Sequence, residues 1–324
     1  MLSLYLFLSY MLAATNGYIF TDADRTDQLI DSAGMKIATG AGNTASEGTP
    51  DAAPKRTKMK TYIFGHSLIE TKVPYWINQL AQAAGHGYGF SGQYGFLPGH
   101  VATLPPTGQW GLPGIPDWNS DVQSFAAANF DTILLTPANF IQFQSPDAAY
   151  PGHRKSAVEF TIELIDWVSE REPGIDIYIY ENWPDMATFI ANESFPPSPA
   201  ELAAYHDYVL DDFSDWWDDY HAALVAARPD INIISVPVGP IISRLLTETE
   251  LSGIKATDLY IDNAPHATDT LNFLAGMATY SGMYRMPLPR DYAVPANIHP
   301  LVIHNYEMIA ELVEMELGIG PSKP

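Results

Sequence analysis

The chain has 324 residues, 47% of them hydrophobic, which is enough for one large domain with a buried core or for two small ones. Its formal charge of −22 excludes nucleic-acid binding through phosphate electrostatics and disfavours binding to anionic membranes. Because there is no cysteine, disulfides, thiol catalysis and cysteine-bound metals are excluded as well.

The N-terminus predicts an export signal. Residues 1–17, MLSLYLFLSYMLAATNG, contain an apolar stretch of signal-peptide length followed by small residues, although no Lys or Arg precedes it. The stretch is short for a membrane span. We therefore predict a periplasmic or secreted protein. The alternatives are a mis-assigned start or a buried N-terminal segment in a cytoplasmic protein. Residues 18–58 are rich in Thr, Ala, Gly, Asp and Ser and predict a flexible leader or linker.

From Met59 onward, strand-like and helix-like patterns alternate through a predicted domain at 59–318. Short apolar or β-branched runs predict strands at 59–64, 130–137, 175–183 and 231–239. Apolar residues at helical spacing predict helices at 72–85, 156–174, 198–230, roughly 268–284 and 300–317. The segment GHGYGFSGQYG at 85–95 is interpreted as a glycine-rich loop.

The helix at 198–230 has the clearest signals. Ser198 is a typical N-cap and Glu201 completes a capping box. The Trp216-Trp217 pair could form a platform for a sugar, but its helical spacing favours packing in the core.

Alternating strands and helices indicate an α/β protein whose mostly parallel sheet is covered on both faces. In such sheets, functional sites form at the carboxyl ends of the strands. Ser67 lies just past the end of the first predicted strand, in TYIFGHSLIE. It is therefore either a turn residue or a nucleophile.

A serine becomes a nucleophile when a histidine takes its proton and a carboxylate holds the histidine tautomer. Of nine histidines, His266 has the most suitable setting, in a short segment that Asp262 and Pro265 open and a helix follows. Ile69 occupies the place where the nucleophile elbow of α/β-hydrolases needs glycine. No zinc, P-loop or dinucleotide motif occurs, so no metal or cofactor is predicted.

Acyl transfer also needs N–H donors for the developing oxyanion. A glycine of the 85–95 segment can bring its backbone close to a ligand. Asn139 follows the strand run in LLTPANF, at the same end of the predicted sheet as Ser67. Its side-chain amide could be a second donor, and the alternative is a turn residue.

Four short blocks occur in order along the chain: Gly65-His66-Ser67-Leu68, Ser91-Gly92, Asn139, and Asp262 to His266. In this order they resemble the SGNH hydrolases, also called GDSL esterases, over about residues 59–285. The resemblance implies a three-layer α/β/α sandwich with a flavodoxin-like sheet and ester hydrolysis without cofactor or metal. It implies Ser67 as the nucleophile, His266 as the base and Asp262 as the group that orients it. The oxyanion hole would combine the Ser67 and Gly92 backbone N–H groups with the Asn139 amide.

The chain departs from the family pattern in the first, third and fourth blocks. His66 replaces the usual Asp, and Phe140 stands where an Asp normally follows the asparagine. Asp262 precedes His266 by four residues instead of three, so Asn263 and Asp269 remain alternative orienting groups. For the oxyanion glycine, the alternatives to Gly92 are Gly89 and Gly95.

The substrate is predicted from aromatic segments. Trp110, Trp118 and Trp183 could stack on a sugar ring or anchor long loops. With the export signal, this favours removal of O-acetyl groups from carbohydrates. A small-acyl or lipid esterase is the alternative. A different class, a catalytically weak glycan-binding relative, would be indicated if Phe140 or His66 filled the pocket.

Overall fold

In the computed structural model, five parallel strands form one sheet. The structure describes residues 56–69, 71–106 and 123–319, so the predicted signal, most of the predicted leader, Trp110 and Trp118 lie outside the described residues. The strand order is β2-β1-β3-β4-β5. This is the flavodoxin-like order of a doubly wound sheet, which confirms the predicted fold class. The strands are β1 (Lys58–Gly65), β2 (Gly87–Tyr94), β3 (Thr132–Leu135), β4 (Asp176–Tyr180) and β5 (Ile233–Val236).

Helices cover both faces of the sheet. Over the described residues they are α1 (Lys72–Ala83), α2 (Leu97–Ala102), α3 (Phe125–Ala128), α4 (Ala157–Ser169), α5 (Pro199–Leu210), α6 (Asp212–Ala227), α7 (Val238–Glu248), α8 (Ala256–Leu259), α9 (Asp269–Tyr284), α10 (Pro300–His304) and α11 (Tyr306–Glu316).

The two faces of strand β1 pack against two different layers of the core. Side chains alternate across a strand, so Ile63 faces one layer while Tyr62 and Phe64 face the other. Ile63 packs into a cluster with α1, α5, α7, α9 and α11, here called the front layer. Tyr62 and Phe64 pack into a cluster with α2, α3, α4 and α6, here called the back layer.

The predicted helix at 198–230 is wrong in one respect, because it is two helices. The chain breaks at Asp211, whose φ of −115° and ψ of −101° are not helical. Tyr205 of α5 packs in the front layer, whereas Trp217 of α6 packs in the back layer. One straight helix could not bury apolar faces on both sides of the sheet. The Ser198 capping box and the burial of Trp216 and Trp217 are confirmed.

The interpretation of 85–95 as a loop is also wrong, because this segment contains strand β2. Gly92 pairs with Ile63 of β1. A Cβ atom at Gly92 would lie 2.6 Å from the Ile63 carbonyl oxygen, a distance that a side chain cannot adopt. Close approach of the two strands therefore requires glycine at this position. Helix α7, which follows β5 directly, was not predicted, and the helix at 300–317 is interrupted at Asn305.

A carboxyl group is buried where β4 ends. Glu181 is 6% exposed and accepts a hydrogen bond from the Ser235 hydroxyl on β5. Burial raises its pKa to about 7; the Ser235 hydrogen bond opposes this shift, and the nearby Asp218 adds to it. The folded protein therefore holds a proton on Glu181 more tightly than the unfolded chain does.

We expect Glu181→Gln to become stabilising relative to the wild type as the pH rises. With a folded pKa near 7 and an ordinary value of 4.5, the contribution of protonated Glu181 is present below the ordinary value and lost as the pH rises through the folded one. Urea unfolding at about pH 5 and about pH 8 should show the difference between variant and wild type shifting by about 2–3 kcal/mol. A difference that does not depend on pH would contradict the assignment.

Candidate active site

The turn after β1 presents Ser67 at the carboxyl edge of the sheet. The N–H of Ile69 donates to the carbonyl of His66 at 3.1 Å and closes the turn. Leu68 and Ile69 are buried in the front layer, which fixes the turn against the core. Ser67 itself is partly exposed. Ser67 is thus a short, partly exposed polar residue followed by two buried residues that hold the turn in place.

His266 lies on a segment that comes from the front layer, between α8 and α9. Tyr260 and Ala267 form an isolated antiparallel bridge that closes this segment, here called the histidine loop (residues 260–267). The indole N–H of Trp183 donates to the Pro265 carbonyl at 2.9 Å. Trp183 is 1% exposed. Of the two roles that the sequence leaves open for Trp183, the structure therefore supports the loop anchor and excludes stacking on a sugar.

Ser67, His266 and Asp262 are connected by hydrogen bonds. The Nε2 atom of His266 lies 2.9 Å from the Ser67 Oγ, and its Nδ1 atom lies 2.7 Å from the Asp262 Oδ2. The other oxygen of Asp262 accepts the backbone N–H groups of Ala264 and His266, both at 3.1 Å. The carboxylate is therefore oriented by the loop that carries the histidine.

The two alternative orienting groups point elsewhere. The Asn263 amide donates to the Glu193 carbonyl at 3.3 Å, and the Asp269 carboxylate accepts a hydrogen bond from Asn297 at 3.2 Å. The extra residue between Asp262 and His266 is accommodated within the histidine loop. The four-residue spacing thus still allows contact between carboxylate and imidazole.

Asn139 lies beside the histidine loop. It begins a single 3₁₀ turn, Asn139–Ile141, shortly after β3, and it is buried. Its side-chain amide nitrogen donates to the Ala264 backbone carbonyl at 3.4 Å, and its backbone carbonyl accepts the Asp185 N–H at 3.2 Å. Since β1 and β3 are adjacent and parallel, their carboxyl ends bring Asn139 to the same edge as Ser67.

The glycines predicted for the oxyanion hole belong to β2 or follow it. Gly92 is inside the strand, opposite Ile63, and Gly89 pairs with Lys60. The N–H of Gly95 donates to the Gly65 carbonyl at 2.8 Å, so it is not directed at a ligand. That the backbone N–H groups of Gly92 and Ser67 donate to an oxyanion stays a prediction.

His66, the neighbour of the serine, connects two turns of the site. Its ring is fully buried, and its Nε2 atom lies 2.7 Å from the Pro137 carbonyl, two residues before Asn139. Its Nδ1 atom accepts the N–H of Leu68 at 3.4 Å. Burial lowers the pKa of His66 to about 4, and the nearby His266 also lowers it. The ring is therefore neutral near pH 7, with its proton on Nε2.

A second carboxylate lies near the triad. Asp185 follows β4, and burial raises its pKa, with nearby Asp262 among the other causes. Its Oδ1 atom accepts the N–H of Ala187 at 2.8 Å. The sequence offered no specific signal for Asp185. Its hydrogen bond to Ala187 indicates a role in holding the backbone next to the histidine loop.

In the described ranges, no group of three His, Asp or Glu side chains is placed to hold a metal ion. None of the helices described above is long and apolar enough to cross a membrane.

The comparisons with known proteins define the fold class. No family model matches the chain, and no curated protein matches it. A DUF4886 family protein from Bacteroides uniformis has a similar structure, with a TM-score of 0.52 and 14% identity. The match covers 82% of this chain and 97% of that one. At this identity the likeness is one of fold.

Two more distant structural neighbours have descriptions related to esterases. A protein from Slackia heliotrinireducens, described as an SGNH hydrolase, matches with a TM-score of 0.42 and 17% identity, over 70% of this chain and 99% of that one. A variant of an acetyl-xylooligosaccharide esterase from Geobacillus matches with a TM-score of 0.37 and 11% identity, over 69% of this chain and 94% of that one.

Proposed function

We propose that the protein is a carboxylic ester hydrolase that works through an acyl-enzyme on Ser67. The observation that carries the proposal is the continuous hydrogen-bonded series from Ser67 through His266 to Asp262. These are the three groups that nucleophilic catalysis by serine requires, in the required order. They lie at the carboxyl edge of a parallel sheet, where α/β proteins form their sites.

In the first step, the Ser67 Oγ forms a bond to the ester carbonyl carbon while His266 Nε2 takes the hydroxyl proton. The carbonyl π-electron pair moves to oxygen and returns when the bond to the alcohol breaks, and His266 donates its proton to the departing alcohol. Water then attacks the acyl-enzyme while His266 takes a proton from it. His266 returns this proton to the Ser67 Oγ as the acyl bond breaks, which releases the acid and restores Ser67. Asp262 stabilises the imidazolium form in both steps.

The side-chain amide of Asn139 would donate to the oxyanion. We expect Asn139→Ala to lower kcat by about a hundredfold or more, since loss of one preorganised donor costs about 3 kcal/mol of barrier. The matched control is Gln142→Ala, whose amide donates to the Asp185 carbonyl at 2.9 Å. Steady-state kinetics on p-nitrophenyl acetate measure both. Equal turnover by wild type and Asn139→Ala would remove Asn139 from the oxyanion hole.

The substrate class rests on fewer observations. The predicted export signal, Trp110 and Trp118 favour a carbohydrate as the alcohol part of the ester, whereas Trp183 is buried and does not contribute. Small-acyl or lipid esters are the alternative. A catalytically weak glycan-binding relative is less well supported. The Phe140 side chain is exposed and His66 is buried beneath the turn, so neither separates Ser67 from His266.

The proposal is tested by labelling and turnover together. A fluorophosphonate probe should add to Ser67, as located by peptide mass spectrometry, and p-nitrophenyl acetate should be hydrolysed by the same preparation. Prior labelling should abolish the hydrolysis. If neither labelling at Ser67 nor hydrolysis above background is seen for folded protein, the serine-esterase proposal is wrong.

A further inference from the structure

Two aromatic side chains pack together beside the turns that carry Ser67 and Asn139. Phe96 follows β2, and Phe140 follows Asn139; their rings meet edge to face with centroids 5.2 Å apart. Phe140 also contacts Tyr150 at 6.2 Å. Although this is a large apolar side chain, Phe140 is 44% exposed. Phe96 and Phe140 are here called the aromatic wall.

The aromatic wall is adjacent to the turn that carries Ser67. The ring of Phe96 lies 5.5 Å from the ring of His66, the residue before Ser67. Phe140 is in turn the neighbour of Asn139. The wall therefore connects the residue next to the proposed nucleophile with the residue next to the proposed oxyanion donor.

The wall and the histidine loop approach Ser67 from opposite faces of the sheet. Phe96 packs against the back layer. Tyr260 and Ala267, which close the histidine loop, are buried in the front layer. His266 thus reaches the Ser67 Oγ from the front layer, whereas Phe96, and with it the Phe140 ring that it contacts, lies on the side of the back layer.

This arrangement distinguishes the two halves of an ester. The histidine that takes the serine proton also donates it to the departing alcohol, so the alcohol oxygen must lie on the side of His266. The acyl substituent occupies another corner of the tetrahedral intermediate, with the oxyanion next to Asn139. The remaining space, away from His266, is bounded by the aromatic wall.

We infer that the aromatic wall is an acyl-binding site that selects apolar acyl groups longer than acetyl, with Phe140 as its specificity-determining residue. The inference rests on the proposed ester hydrolysis and deepens it. Phe140 stands where the family that the chain resembles has Asp, so this position carries an apolar side chain instead of a charged one. Because Phe140 is open to solvent, a longer acyl chain gains contact by covering it. The carbohydrate acetyl ester then becomes the less favoured acyl class.

The test compares p-nitrophenyl hexanoate with p-nitrophenyl acetate by kcat/KM. The wild type should prefer the hexanoate, and Phe140→Ala should lower the hexanoate-to-acetate ratio about tenfold, since buried methylene contacts discriminate by such factors. Phe140→Asp, which restores a charge, should lower the ratio at least as far. Phe140→Leu, which keeps an apolar surface, should largely retain it.

Phe143→Ala is the matched control. Phe143 is 61% exposed, and its ring contacts Phe189 and Tyr208 instead of Phe96. Its ratio should equal that of the wild type. Ratios for Phe140→Ala and Phe140→Asp that match the wild type, or an equal loss in Phe143→Ala, would overturn the acyl site while leaving Ser67-dependent hydrolysis intact. Absence of hydrolysis and of Ser67 labelling in the wild type would overturn both proposals.

Discussion

Replacing Ser67 with alanine is expected to lower kcat on p-nitrophenyl acetate by about a million-fold, to a rate near the background. The reason is that the proposed mechanism uses the Ser67 Oγ, which lies 2.9 Å from His266 Nε2, as the nucleophile. Without it, His266 has no hydroxyl to deprotonate in that position and no acyl-enzyme forms. Intact-mass measurement after rapid mixing with substrate should show an acetyl adduct on the wild type and none on the variant.

A matched serine controls for effects on folding. Ser91 is a buried serine of β2, next to Gly92, and it is 1% exposed. Ser91→Ala removes one hydroxyl group from the same sheet and should turn over at a rate close to the wild type. Turnover by Ser67→Ala at the wild-type rate would mean that the GHSL segment is an ordinary turn.

Replacing Asp262 with asparagine is expected to lower kcat by about ten-thousandfold while the fold is retained. The backbone N–H groups of Ala264 and His266 both donate to Asp262 Oδ1. They will hold the amide oxygen of an asparagine in that place, which turns its NH₂ group toward His266 Nδ1. The imidazole must then accept at Nδ1 and carry its proton on Nε2, where it can no longer take the proton of Ser67.

The other two candidate orienting groups provide the controls. Asn263→Ala and Asp269→Asn remove side chains whose hydrogen bonds run to Glu193 and Asn297. Both variants should keep kcat close to the wild type. A loss in Asp269→Asn as large as that in Asp262→Asn would move the orienting role to Asp269, and circular dichroism on each variant separates such a loss from unfolding.

The sequence by itself determined the fold class. Apolar runs at 59–64, 130–137, 175–183 and 231–239 are short and rich in Ile, Val, Leu and Tyr. The first lies within β1, and each of the others contains a strand of the sheet. Their alternation with amphipathic helices predicts a parallel sheet covered on both faces. Strand β2 was not predicted, because its segment is rich in glycine, which has a low strand propensity. Gly92 belongs there owing to its close contact with Ile63 of the neighbouring strand, which a local pattern does not reveal.

The break at Asp211 has a similar cause. The apolar spacing of 198–230 continues through Asp211 without interruption, so periodicity alone predicts one helix. The two halves bury their apolar residues in the front and back layers, and the chain must turn between them. The position of the break therefore depends on where the sheet lies relative to each helix.

The sequence and the tertiary structure each determine part of the candidate site. The sequence identified Ser67, Asn139, Asp262 and His266 as chemically suitable residues in the order of a known family. Only the tertiary structure brings Ser67 and His266, 199 residues apart, within a hydrogen bond. It also distinguishes Asp262 from Asn263 and Asp269, and it buries Trp183 as an anchor of the histidine loop. The physical reason is that residue types carry the chemistry, whereas distances follow from strand register and from the packing of loops against two separate cores.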